Sequence, residues 1–325
     1  MTDGQFGWRA SRQAQSAVIS KVLAMDINNL YVKDYTSVDE DLKANFDREL
    51  SHLGACEDQF YGAPPQQVDF LFNATTSQEF FVKTKFGISD GSYTFSPDIK
   101  VWGLGQGIGW SGARWILTSS TIAKAMEHRT YGLKLYSPDS RVSIQKLLDM
   151  FGDDTSQICN NSTHLPLLEQ TRENVQLHSH LVFVTGGLIA LDKCSFYHVK
   201  FDFDENGEPR MLSLDENKQE LLIRPSFQGD VFSIRQMDPS AEHKTLGYYI
   251  APAGTNAITI EKLQGFISSW NTKIKSSNLS HSNVFLSDDS VLHPQLTYRL
   301  AANSLSFNEC DQMFTCYMLA AFNVI

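Results

Sequence analysis

Two adjacent carboxylates, Asp153 and Asp154, follow a glycine and stand between two short apolar runs, 147–151 and 158–159. Short apolar runs flanking such a turn signal read as paired strands, so the segment is expected to form a hairpin with a charged tip. Adjacent carboxylates at the tip of an apolar hairpin are unusual, and their oxygens suit hard divalent cations. Taken alone, the pair also fits a solvated turn.

The rest of the chain supplies an α+β pattern around that hairpin. Apolar residues at Ala14, Ala17, Val18, Val22, Leu23 and Ile27 have the spacing of an amphipathic helix over 14–30. A strand-like segment 35–38 leads into Asp39-Glu40-Asp41, and a helix-compatible stretch follows to residue 53. The Gly62-Ala63-Pro64-Pro65 break precedes another helix, then a strand at 79–85 with a turn over 87–91. A Gly-rich loop at 103–109 feeds a helix over 113–126, and a further helix is expected over 165–191. Residues 196–203 alternate like a strand, turn at Asn206-Gly207 and return through Met211. The last 70 or so residues mix short helical patterns such as 260–267 with polar loops.

Composition narrows the class. The 325 residues are 42% hydrophobic and 20% charged, as in a folded globular chain. The longest apolar run, 181–191, is broken by Gly186-Gly187 and falls short of a membrane span. The N-terminal residues have no apolar signal-peptide centre, and five scattered cysteines include no Cys-x-x-Cys pair. An intracellular protein of the cytoplasm or nucleus, with reduced thiols and no membrane partner, is expected. A net charge of −10 argues against attraction to nucleic acid over the whole surface, but leaves room for a local basic channel.

Three motifs then occur in order: Asp41-Leu42-Lys43-Ala44-Asn45-Phe46-Asp47, Gln106-Gly107-Ile108-Gly109-Trp110-Ser111, and Phe151-Gly152-Asp153-Asp154. Together they resemble motifs A, B and C of reverse transcriptases, most closely those of non-LTR retrotransposons and group II introns. The block Gln5-Phe6-Gly7-Trp8-Arg9-Ala10-Ser11-Arg12 is similar to the segment preceding motif A in that family. Gly186-Gly187 through Lys193-Cys194 looks like motif D, and Thr245-Leu246-Gly247 like motif E. The chain departs from the family at Gly112, where Pro is usual, and at Gly152, where Ala or Val is usual.

The resemblance implies a right-hand polymerase: partial fingers over 1–35, a palm of antiparallel sheet backed by helices over 36–254 with a fingers insertion around 62–100, and a thumb-like region over 255–325. It implies an N-terminally truncated core, since the chain begins at the Gln-x-Gly-x-Arg block. The implied activity is RNA-directed DNA synthesis on an RNA template and DNA primer from deoxynucleoside triphosphates, with two Mg2+ ions, or Mn2+ in their place. No oligomeric state follows from it. Asp41 and Asp153 would hold the metals with Asp154 in support, and Lys193 would protonate the leaving pyrophosphate. Phe46 would exclude a ribose 2′-hydroxyl, and Gln106 and Gly107 would pack under the incoming nucleotide and template base. Arg9 and Arg12 are read either as contacts to template or primer phosphate or as surface charges at a helix start.

Two other patterns are set aside. Asp202-x-Asp204-x-Asn206-Gly207 opens like an EF-hand loop, yet Ser213 stands where a bidentate Glu is needed, so a hairpin turn is expected. The Gly103–Gly109 alternation lacks the spacing of a dinucleotide-binding loop. Two alternatives to an active reverse transcriptase remain: an inactive remnant that at most binds nucleic acid, and an RNA-dependent RNA polymerase, against which Phe46 argues.

Overall fold

The computed structural model describes residues 4–322 apart from 8, 44, 95–102, 104–109, 129, 138 and 161–164. In chain order the elements begin with α1 (Ala14–Leu30), β1 (Tyr35–Asp41), α2 (Asn45–Arg48), α3 (Ser51–Phe60), α4 (Pro65–Thr76), β2 (Glu79–Thr84) and β3 (Gly87–Thr94). Next come α5 (Ser111–Glu127), β4 (Leu133–Tyr136), β5 (Ser143–Lys146), β6 (Leu148–Phe151), β7 (Asp154–Asn160) and α6 (Leu167–Val184). The strands β8 (Ser195–Val199), β9 (Phe201–Phe203), β10 (Pro209–Met211), β11 (Leu221–Ile223), β12 (Phe232–Met237), β13 (His243–Thr245) and β14 (Tyr248–Ile250) follow. Helices α7 (Ala257–Lys275), α8 (His281–Ser287), α9 (His293–Leu300) and α10 (Phe307–Phe322) close the chain, with a π-helical turn at Asp288–Leu292. The α+β class read from the sequence is therefore observed. No helix among the described residues is long and apolar enough to cross a membrane.

The chain divides into two compact units. The first comprises Met1–Gln13, Thr36–Phe196 and Glu220–Arg235; the second comprises Ala14–Tyr35, Tyr197–Gln219 and Gln236–Ile325.

A six-stranded sheet has the strand order β11-β12-β8-β1-β7-β6, of which β11, β7, β6 and β1 from Thr36 onward belong to the first unit. Helices α5 and α6 pack with each other, and α6 also packs on β7 and β11. Val38 and Leu42 of β1 and its extension, Trp115, Ile122 and Met126 of α5, Met150 of β6, and Val175 and Val182 of α6 share one core with Phe196. Since side chains alternate along a strand, Val38, Glu40 and Leu42 share the helix-facing side of β1, while Asp39 and Asp41 face the other way. At the α3–α5 contact, buried Arg114 lies 4.0 Å from Glu49 and 3.5 Å from Asp58. Burial pushes the Glu49 carboxyl up to about 7 against the pull of that guanidinium.

The second unit has its own apolar core of Leu263, Ile267, Trp270 and Ile274 from α7 with Val284, Leu292, Leu296 and Met313. A satellite cluster joins Val18 of α1 to Tyr248 and Ile250 of β14. The β13–β14 hairpin turns through Leu246 and Gly247, both at positive φ (51° and 88°), the conformation that a two-residue I′ loop requires.

Several sequence expectations hold and others change. The helix at 14–30 and the hairpin around Asp153-Asp154 are where the periodicity puts them. The rejected calcium motif is a tight turn between β9 and β10, in which Asp204 accepts from the backbone amides of Asn206 (2.8 Å) and Glu208 (2.9 Å). The β2–β3 turn falls at Lys85-Phe86 rather than over 87–91, because Gly87, at φ +139°, opens the second strand. The last helix before the Gly186-Gly187 pair ends at Val184, not at 191. The C-terminal region is more continuously helical than its polar composition suggested.

Candidate active site

The site is assembled on β1, on the β6–β7 turn and on the segment after α6, all in the first unit. In the β6–β7 pair Phe151 is opposite Asp154, so Gly152 and Asp153 form the turn. Gly152 has φ +68°, a left-handed conformation that glycine adopts without a Cβ penalty. Two neighbours hold this turn. The Trp115 indole Nε1 donates to the Gly152 carbonyl at 2.6 Å. Gly7 lies so close that a Cβ there would stand 2.9 Å from the Gly152 amide nitrogen.

The segment Gly4–Gly7 runs as a parallel edge against β6, with Phe6 N–H donating to Met150 O and Met150 N–H to Gly4 O, both at 2.8 Å. Gln5 is buried, its amide Nε2 reaching the Ser119 hydroxyl and its Oε1 accepting from Gly7 N–H. The segment Gly4–Gly7 thus supports the Asp-Asp turn from below.

A backbone pairing sets the third component. After α6, Gly186 takes φ +95° in a place where a Cβ would come within 2.3 Å of the Arg48 carbonyl oxygen. The chain then pairs antiparallel beyond the end of β1: Lys43 N–H donates to Leu188 O (2.7 Å) and Ala190 N–H donates to Asp41 O (2.8 Å). Three residues later the Lys193 ammonium lies 2.6 Å from Asp41 Oδ2. The Asp41 carboxylate beside it holds the Lys193 ammonium above its ordinary pKa.

The carboxylates influence one another. Desolvation first, and then Asp153, Asp41 and Asp39, push Asp154 up to about 6, while Lys193 pulls in the opposite direction. Asp153 is also raised, by desolvation and by Asp41. Asp39 was not singled out from the sequence, although the period-two alternation places it on the same side of β1 as Asp41; its Oδ1 accepts from the Ser156 hydroxyl of β7 at 2.8 Å. Among the described residues Asp39, Asp41 and Asp153 thus all act on Asp154, and Lys193 opposes them from beside Asp41.

This oxygen-only, net negative donor set has the chemistry that hard divalent cations select. Among the described residues, however, no three His, Cys, Asp or Glu side chains are gathered as a ready metal cage. One oxygen of Asp41 is instead satisfied by the Lys193 ammonium. In charge and ligand type Asp41, Asp153 and Asp154 fit a cation, in an arrangement that a bound ion would have to draw together.

The other candidates have individual settings. Phe46, on α2, is half-buried and meets Trp115 edge to face with ring centroids 6.3 Å apart. Because Trp115 also binds Gly152, one indole links the Phe46 ring to the Asp-Asp turn; no local sequence signal marks that tryptophan. Arg9 donates to the Gln5 carbonyl at 3.0 Å, and the Arg12 guanidinium lies 5.0 Å from the centre of the Phe6 ring. Gln106 and Gly107 lie outside the described residues.

No protein-family model matches the chain, and no curated protein matches it. Among solved structures it is similar to the telomerase of Candida albicans, determined in complex with a TWJ fragment of telomeric RNA, at 10% identity and a TM-score of 0.41. That match covers 98% of this chain and 52% of the telomerase chain. The telomerase of Candida tropicalis, also in complex with a TWJ fragment of telomeric RNA, matches at 11% identity and a TM-score of 0.40, covering 99% of this chain and 51% of that one. The chain spans about half the length of these telomerases.

Proposed function

We propose that the chain is the polymerase core of a reverse transcriptase of retroelement origin, which adds deoxynucleotides to a DNA primer on an RNA template. One observation carries this reading. Residues 112 positions apart in sequence, Asp41 and Asp153, interact electrostatically beside the same lysine, on the strand and turn where the polymerase-like motifs put catalytic carboxylates. Under the same reading the partial fingers, palm and thumb divisions follow the boundaries 1–35, 36–254 and 255–325.

Two Mg2+ ions, or Mn2+, bound by Asp41, Asp153 and Asp154 would activate the primer 3′-hydroxyl and stabilise the leaving oxygen. The chain's own residues do the rest. Asp41 and Asp153 supply negative oxygens from two separately held backbones, and Gly152 lets the turn bring its carboxylates past the strand end. Lys193 keeps its proton on Nζ at neutral pH and so holds it available for a pyrophosphate leaving group. Phe46 presents an aromatic edge braced by Trp115, suited to reject a 2′-hydroxyl by contact. Gln106 and Gly107 are assigned to the nucleotide and template base, and Arg9 and Arg12 to nucleic-acid phosphate, on the family pattern alone.

Primer extension on an RNA template with deoxynucleotides and Mg2+ tests the proposal. Product from the wild-type chain that Asp153→Asn abolishes is the expected result; no product from a folded chain defeats the activity. A second reading, a remnant that binds primer-template without extending it, is favoured by the absence of a ready three-ligand cage among the described residues and by the net charge of −10. Salt-dependent binding without extension would select it.

A further inference from the structure

Between Asp39 and Asp41, Glu40 points to the opposite side of β1, into the core beneath the candidate site. Its carboxylate is fully buried and both oxygens are used. The Gln157 amide Nε2 of β7 donates to Oε1, and the imidazole Nδ1 of His178 on α6 lies 2.8 Å from Oε2. His178 and Gln157 are themselves buried, and His178 Nε2 has no hydrogen-bond partner among the described residues. A buried carboxylate is retained at an apolar interface only when its hydrogen bonds are made, and each bond here ties β1 to a different element.

The opposite side of the same strand needs such restraint. Asp39 and Asp41 face Asp154, and mutual repulsion among these carboxylates works to separate β1 from β7. Glu40 lies between the two aspartates and is bonded across to β7 and down to α6, so it fixes both the register and the depth of the residues on either side.

We infer that Glu40, His178 and Gln157 form a buried positioning clamp that presents Asp41 and Asp154 to a common divalent cation. None of the three touches substrate, and all act through the strand that carries the carboxylates. The inference rests on the metal-dependent reading above.

The test compares wild type with His178→Leu, which removes the donor, and His178→Asn, whose side-chain amide nitrogen replaces Nδ1. Mn2+ binding is followed by the electron paramagnetic resonance of free Mn2+, alongside primer-extension kinetics, with Asp153→Asn as the reference for loss of the site. Expected for His178→Leu is Mn2+ binding weakened roughly ten-fold and a lower kcat, with KM for nucleotide within about two-fold of wild type. His178→Asn should restore both values to within about two-fold of wild type. If His178→Leu binds Mn2+ as wild type does, or His178→Asn is as impaired as His178→Leu, the clamp is overturned. Should circular dichroism show His178→Leu unfolded, Glu40→Gln takes its place, and wild-type Mn2+ affinity in that variant overturns the clamp equally. A wild type that binds Mn2+ through Asp153 but extends no primer defeats the polymerase reading and leaves the clamp to be decided by the binding data. A wild type with no Asp153-dependent Mn2+ binding overturns the clamp.

Discussion

The indole of Trp115 donates to the carbonyl of Gly152 at 2.6 Å, joining the helix that follows the Gly-rich segment to the turn carrying Asp153 and Asp154. Both partners are buried, so the bond has no exchange partner in water when it is lost. Trp115→Phe keeps most of the ring and removes the donor. It should destabilise the chain by about 1–3 kcal/mol, the cost of an unpaired buried carbonyl, as measured by urea unfolding. A change below about 0.5 kcal/mol would show that the turn does not depend on this bond.

Gly186 is constrained twice, by φ +95° and by the nearby Arg48 carbonyl. Gly186→Ala should cost more than the roughly 1–2 kcal/mol of left-handed strain alone. Since the pairing of 188–190 with 41–43 begins just beyond it, amide hydrogen exchange at Lys43 and Ala190 should accelerate along with the loss of stability. Unchanged exchange at those amides would separate the glycine from the placement of Lys193.

The Asp154 carboxyl, raised from 3.8 to about 6, sets a pH dependence with a definite sign. The folded state holds this proton more tightly than the unfolded chain, so the group's contribution is most favourable below about pH 4 and is lost as pH rises through about 6. Asp154→Asn removes that loss. Discounted for solvent screening at this half-buried site, its advantage over wild type should be on the order of 1 kcal/mol at pH 7.5 and should vanish near pH 4. Unfolding of both proteins across that range reads the difference, and an advantage independent of pH would contradict the assignment.

Lys193 is largely exposed, so Lys193→Met should change stability by less than about 1 kcal/mol. Its removal takes away a cation that lowers the pKa values of Asp153 and Asp154, so both carboxyls should move further up. If it donates a proton in the reaction, single-turnover incorporation should fall by about 10²–10⁴-fold. A smaller loss together with a changed Mg2+ requirement would make the lysine a counter-ion for Asp41 only.

Phe46→Ala should raise the ratio of ribonucleotide to deoxynucleotide incorporation, by about ten-fold for each 1.4 kcal/mol of lost exclusion. It also removes the edge contact with Trp115, so stability should fall by about 1–3 kcal/mol for this half-buried ring. An unchanged sugar preference in a folded variant would assign Phe46 to packing alone.

The parts of this site that were legible in the sequence are those carried by local pattern. The apolar runs around Gly152 announced a hairpin, and the strand-like run 35–38 marked the start of β1, which continues through the acidic residues to Asp41. Asp39 was within reach of the same reasoning, since an alternating strand that presents Asp41 also presents Asp39. The course of 185–194 was not: the apolar residues 181–191 fit a helix as well as a helix followed by a strand-like bridge, and only contact with residues 41–43 decides between them. Trp115 and His178 were hidden for a related reason. Each has ordinary helical spacing, and its polar role appears only through a partner distant in sequence.

The strand order has a consequence for how the molecule is made. β1, which bears Asp41, lies between β7 and β8, and both neighbours are encoded on the order of a hundred residues or more downstream. On the ribosome this carboxylate-bearing strand emerges with both hydrogen-bonding edges open, and it waits for most of the first unit before either edge is covered. At roughly 5–20 residues per second, that leaves several seconds of exposure during each round of synthesis. The acidic triplet Asp39-Glu40-Asp41 repels copies of itself on neighbouring nascent chains during that interval, so the charges placed at the candidate site also guard the strand against pairing with the wrong partner.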